Sequence, residues 1–141
     1  MKYSDLKFFL FFFISLFLMH KIIFAEIIED QVFTIRNISV DVKSASSSKA
    51  REIALQEAQI KGFSVLMQKM LLKGEYEKIS YIKKNKIMEL VQEIEIENEK
   101  TSSVRYIGTI SVKFKSNLIL RLLKSNNIKF SITKSKPLLI L

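Results

Sequence analysis

The sequence predicts an α+β fold: one mainly antiparallel sheet with a long and a short helix on one face. Three observations predict it. Alternation of apolar and polar residues, the period of a half-buried strand, recurs in four separate stretches. A Pro-free stretch from Ser46 to Lys73 repeats small residues every four positions, a helical spacing. A second, shorter helical pattern, Leu118, Ile119, Leu122 and Leu123, falls between the third and fourth alternating stretches.

In chain order, residues 32–42 (VFTIRNISVDV) come first. Ile38, Val40 and Val42 alternate with Asn37, Ser39 and Asp41, whereas Phe33 and Ile35 lie on the other parity, so a bulge or a change of buried face is expected near Arg36. Ser46, Ser47 and Ser48 are N-cap candidates for the long helix, and Gly74 stands where a C-cap would. Within that helix Ala50, Ala54, Ala58 and Gly62 form a ridge of small side chains that lets its backbone approach a neighbour closely. Ile53, Ile60, Met67 and Leu71 make a bulkier stripe beside it. Arg51, Glu52, Gln56, Glu57, Gln59 and Lys61 exclude a membrane-spanning role for it.

Residues 75–85 are polar, and residues 86–91 suit a short helix. Glu93-Ile-Glu-Ile-Glu97 then alternates cleanly, with three solvent-directed carboxylates and nothing that suggests their burial, so no acid–base role is read into them. Asn98–Ser102 is expected as the turn into the longest strand, Ser103–Phe114. There Val104, Tyr106, Ile110, Val112 and Phe114 share the apolar parity; Ile107 is the exception on the polar parity, and Gly108 marks a bulge or a close backbone approach. Matching the apolar faces of this hairpin puts Ile94 and Ile96 opposite members of the Val104, Tyr106, Gly108 set, and Arg105 opposite Glu95 or Glu97. Ser116 can cap the short helix, Asn126-Asn127 ends it, and Ile128, Phe130 and Ile132 make a fourth strand before Pro137 and the apolar run 138–141. The order β-α-β-β-α-β is that of a ferredoxin-like sandwich, with the first and third strands central.

Composition bounds the chemistry. The chain of 141 residues is 48% hydrophobic with three Gly and one Pro, as expected of one small folded domain. It has no Cys, and its single His is His20. A chain lacking residues 1–25 therefore has neither residue, which excludes His- or Cys-based triads, thiol chemistry and most zinc sites. Gly62, Gly74 and Gly108 are isolated, so no phosphate cradle and no cofactor are expected, and the expectation is that the protein is not an enzyme.

Lys2 and Lys7 precede a twelve-residue apolar run, Phe8–Met19, and Ala25 supplies a small residue. Residues 1–25 thus read as a signal peptide cleaved after Ala25; the alternative is an N-terminal membrane anchor over residues 8–24, which must tolerate His20 and Lys21. Either reading places residues 26–141 outside the cytoplasm as a single α+β domain. Cleavage removes three Lys and one Asp from a net charge of +9, leaving +7.

The segments Phe33-Thr-Ile-Arg-Asn-Ile-Ser-Val-Asp-Val, Glu95-Ile-Glu-Asn-Glu-Lys-Thr-Ser-Ser-Val-Arg-Tyr and Ser135-Lys-Pro-Leu-Leu-Ile-Leu resemble, in that order, the domain of unknown function 2066 family of exported bacterial proteins. The resemblance covers residues 32–141 and singles out Glu99, Thr101, Ser102, Arg105 and Tyr106 as family-motif and interaction residues. It implies a periplasmic or cell-envelope location and no established activity. It also implies that this chain is a short or truncated version, because members continue beyond the Lys-Pro-hydrophobic run.

The expected function is a non-catalytic interaction or assembly module that meets an envelope protein. The alternative is a basic membrane-associated domain that binds anionic lipid or another polyanion through residues 113–136, where seven basic residues occur with no acidic one. Nucleic acid is not an expected partner, because no nucleic-acid-binding motif is present.

Overall fold

In the computed structural model, which describes residues 31–132, the first strand, β1 (Thr34–Lys43), changes the parity it buries part-way along. Ile35 lies opposite Val112 and Ile38 opposite Ile110, so Arg36 and Asn37 together face one residue, Ser111. Asn37 takes φ 60°, a left-handed conformation that Asn tolerates better than most residues. This is the bulge expected near Arg36, and it lets Phe33 and Ile35 share the core with Ile38, Val40 and Val42.

The long helix, α1 (Ser47–Met70), starts where the Ser46 side chain accepts the Lys49 backbone N–H at 3.2 Å. Ala50, Ala54 and Ala58 are fully buried. At Gly62 an added Cβ would stand 3.2 Å from Ile38 Cδ1 and 3.5 Å from the Phe114 ring. The small-residue ridge is therefore where helix and sheet approach each other most closely, and Phe63 flanks it edge-on to Phe114 with centroids 6.2 Å apart.

Two strands complete the sheet. Strand β2 (Val91–Thr101) and strand β3 (Arg105–Phe114) both run antiparallel to their neighbours, in the order β1-β3-β2. The longest alternating stretch is the central strand, and Tyr106, Ile110, Val112 and Phe114 on its apolar parity are all buried. The hairpin register differs from the expected one. Ile94 and Ile96 face Val112 and Ile110 rather than the Val104, Tyr106, Gly108 set, because β2 runs on to Thr101 and the connection is Ser102–Val104. A second bulge then reverses parity: Glu97 faces Thr109 but Lys100 faces Ile107, so Asn98 and Glu99 share the position opposite Gly108. Asn98 is again left-handed, at φ 52°. Val104, expected in the core, is consequently an exposed turn residue.

A 3₁₀ turn (Tyr76–Ile79) and a short helix, α2 (Lys84–Glu89), lead into β2, and α3 (Ser116–Ser125) follows β3. Lys115, not Ser116, takes the cap position of α3; its backbone N–H donates to Leu90 O at 2.8 Å. The helix ends with Asn127 at φ 52°, Ile128 N–H donating to Leu123 O and Asn127 N–H to Lys124 O.

Two expectations fail for one reason. Leu71 is drawn into an isolated antiparallel bridge with Phe130, so α1 stops at Met70 rather than Lys73 and Gly74 becomes a turn residue at φ 87°. The segment expected as a fourth strand supplies only that bridge, and Ile128 closes the α3 cap instead of joining the sheet. Among the described residues β1 therefore has one strand neighbour and is not central. The architecture is α+β with a three-stranded antiparallel sheet. The apolar segment 8–24, the proposed cleavage site and residues 133–141 lie outside the described residues. Among the described ones no helix is long and apolar enough to cross a membrane.

Candidate functional site

The five residues singled out in the sequence fall at the hairpin end of the sheet, and β2's extra residue decides how. Tyr106, on the helix-facing parity, is the largest fully buried side chain, and Thr101 faces it across the hairpin. Ser102 donates its backbone N–H to Arg105 O at 2.9 Å. Thr101 and Ser102 themselves are exposed.

Arg105 was expected opposite Glu95 or Glu97. It instead lies across from Ser102 and reaches the other way, to β1. Its Nε donates to Asp41 Oδ1 at 2.7 Å and its Nη2 to Asp41 Oδ2 at 2.6 Å, a bidentate pair between strands. The Arg105 hydrogen bond holds the Asp41 carboxyl below its ordinary range, and Asp41 in turn raises the guanidinium. The late connection is the cause of the change of partner: β2 runs on to Thr101, so Glu95 and Glu97 lie opposite Ser111 and Thr109, well beyond Arg105. Both partners are substantially exposed, so the pair fixes strand alignment more than it adds stability.

Glu99 projects from the bulge to α1, where Arg51 Nε donates to its Oε1 at 3.0 Å. The Arg51 guanidinium also stands over the Tyr106 ring, 6.0 Å from its centroid. Tyr106 Oη is buried and makes no hydrogen bond of acceptable geometry, yet it lies close enough to Glu99 and Arg51 for each to bear on its ionisation. Burial first, then Glu99, raises the Tyr106 hydroxyl; Arg51 first, then Tyr106, lowers Glu99. Thus Glu99, Tyr106 and Arg51 meet, while Arg105 belongs to a separate pair with Asp41. Sequence reading missed Arg51 and Asp41 as partners. Asp41 is the only acidic residue of β1 and Arg51 one of four arginines in the chain, which is the signal that was there.

The face of the sheet away from α1 carries the other half of the alternation. Glu95 faces Ser111, Glu97 faces Thr109 and Ser39 faces Thr109 from the other side. Among these polar residues Ile107, the exception to the alternation, is half-buried. An open groove of about 330 Å³ runs here, edged by Ser39, Asp41, Asn98, Lys100 and Thr109 with Ile107 in its floor. It offers hydrogen-bond donors and acceptors around one apolar contact, which suits a protein surface more than a buried small molecule. Among the described residues no group of three or more His, Cys, Asp or Glu could hold a metal. Comparison with known proteins found no matching family model, no matching curated protein and no matching solved structure.

Proposed function

We propose that the chain is an exported, non-catalytic interaction or assembly module of the bacterial envelope, a member of the domain of unknown function 2066 family with a ferredoxin-like sandwich. The strand order β1-β3-β2 supports the fold part of this reading, since it matches three neighbouring strands of that layout. One observation carries the functional part: helices cover one face of the sheet, and the other face presents Ser39, Thr109, Lys100 and Asp41 around Ile107. The Asp41–Arg105 ion pair, on that same face, holds β1 and β3 in fixed register. The partner is a protein that lays a mixed polar and apolar surface on this face.

A photo-reactive residue placed at Ile107 or Thr109 in the living cell tests the reading. The expected result is a discrete cross-linked species from both positions and none from Lys61, an exposed residue of α1. Cross-links from Lys61 alone, or from none of the three, would overturn it.

A further inference from the structure

Four of the five large hydrophobic side chains exposed among the described residues gather where α1 ends. Leu72, Tyr76, Tyr81 and Ile132 are 51%, 39%, 68% and 41% exposed. Backbone and side-chain bonds bring them together. Leu72 N–H donates to Lys129 O, and Ser131 N–H to Met70 O, so the chain before Ile132 lies beside Leu72. Tyr76 Oη meets Ser64 Oγ at 2.9 Å, and Tyr81 Oη donates to Asn126 Oδ1 at 2.9 Å, tying the 3₁₀ segment to α1 and α3.

The same end is basic. Lys69, Lys73, Lys83, Lys84 and Lys124 are all exposed, and no ion pair engages any of them among the described residues. The local acids are largely neutralised: Glu75 by Lys78 at 2.8 Å and by the Lys129 N–H, and Glu89 by Lys86 at 2.7 Å, leaving Glu77.

The geometry points to this end as a docking surface for an anionic lipid bilayer, with lysines meeting headgroups and Leu72, Tyr76, Tyr81 and Ile132 entering the interface. Charge complementarity selects an anionic occupant. The exposed apolar side chains select a bilayer over a soluble polyanion, which would leave Leu72 and Ile132 in water. Tyr is suited to the headgroup layer because its ring is apolar and its tip polar. Lysine brings a compact charge on a long apolar stem and lacks the fork with which arginine reads a fixed phosphate. The surface differs from the basic stretch 113–136 read from sequence. It is assembled from two segments distant in sequence, 69–84 and 124–132, and it is distinct from the open sheet face, so it stands or falls independently of the proposed partner site.

The full chain is tested for binding to vesicles of phosphatidylcholine alone and with phosphatidylglycerol added at roughly one third. The expected result is anionic-vesicle binding stronger by on the order of tenfold and weakened by salt. The triple variant K83E/K84E/K124E abolishes that difference; L72S/Y81S weakens binding several-fold without changing its salt dependence. K43E/K100E, at the far end of the molecule, leaves it intact. Circular dichroism monitors folding, and K83Q/K84Q/K124Q replaces the triple variant should that one fail to fold. Equal binding to both vesicle types, binding unaffected by the lysine variants, or equal loss in K43E/K100E would overturn the proposal. So would heparin binding as tightly as anionic vesicles with no effect of L72S/Y81S, which would assign the surface to a soluble polyanion.

Discussion

Where α1 begins, Arg51 bonds to Glu99 and Arg105 grips Asp41; where it stops, Lys69, Lys73, Lys83, Lys84 and Lys124 have no ion-pair partner among the described residues. The two regions are about 27 Å apart along one helix axis. They differ also in their apolar groups: the hairpin end hides Tyr106 completely, and the other leaves Tyr81 mostly in solvent. The comparison teaches that a single net charge of +9 says little about where a basic protein offers its charge. At the hairpin end the arginines are paired and Lys43 and Lys100 remain without an ion pair among the described residues; at the other end five such lysines stand beside exposed apolar side chains.

Leu123→Ala should break the lysine end hardest. Leu123 is fully buried and its carbonyl accepts the Ile128 N–H that closes α3, so truncation removes core and leaves a cavity. The expected loss is about 2–5 kcal/mol in chemical unfolding, with faster amide exchange at residues 124–132 than at the hairpin. A uniform effect on both ends would show that they are not separable.

Asn98→Ala strikes the other end. It forces a residue with a Cβ and no compensating side-chain amide into φ 52°, at an expected cost of about 1 kcal/mol. Loss of the Arg51–Glu99 pair, read from the Arg51 side-chain resonance, should accompany it. Unchanged stability would mean that the bulge does not set the hairpin's geometry.

Tyr106→Phe is expected to leave stability within about 1 kcal/mol of the parent, on the stabilising side, since the buried hydroxyl has no hydrogen-bond partner. A clear destabilisation would instead show that Oη bonds Glu99 or Arg51.

The smallest effect is in acid. Asp41, Glu75 and Glu99 all have carboxyls held below their ordinary values, first by Arg105, Lys78 and Arg51 respectively. A folded pKa below the unfolded one stabilises fully above the ordinary carboxylate value near ~4, and that contribution fades as pH falls through the folded value. Asp41→Asn should therefore lower the melting temperature slightly at neutral pH, with the difference from the parent shrinking below about pH 4. A difference that grows in acid contradicts the assignment.

The parts of this fold that local spacing controls were legible in the sequence. The Ala50–Gly62 ridge declares itself by its four-residue period, and the β1 bulge by the parity change between Ile35 and Ile38. The parts set by distant partners were not. Nothing near Leu71 announces that Phe130 will pair with it and end the helix. Asn98 looked like the start of a turn, because Asn favours left-handed conformations in turns and in bulges alike. That single ambiguity displaced the register and gave Arg105 the wrong partner. Of the site, Glu99 and Tyr106 were recognised but not the Arg51 that joins them. The lysine surface was hidden because its two segments, 69–84 and 124–132, are adjacent only after folding.

Amide hydrogen exchange of the full chain, with and without phosphatidylglycerol vesicles, tests the division between the two ends most directly. The account predicts protection confined to residues 71–84 and 124–132, with the hairpin at 98–106 and the open-face residues of β3 unchanged. Protection centred on the hairpin or the open sheet face, with the lysine end unaffected, would contradict it.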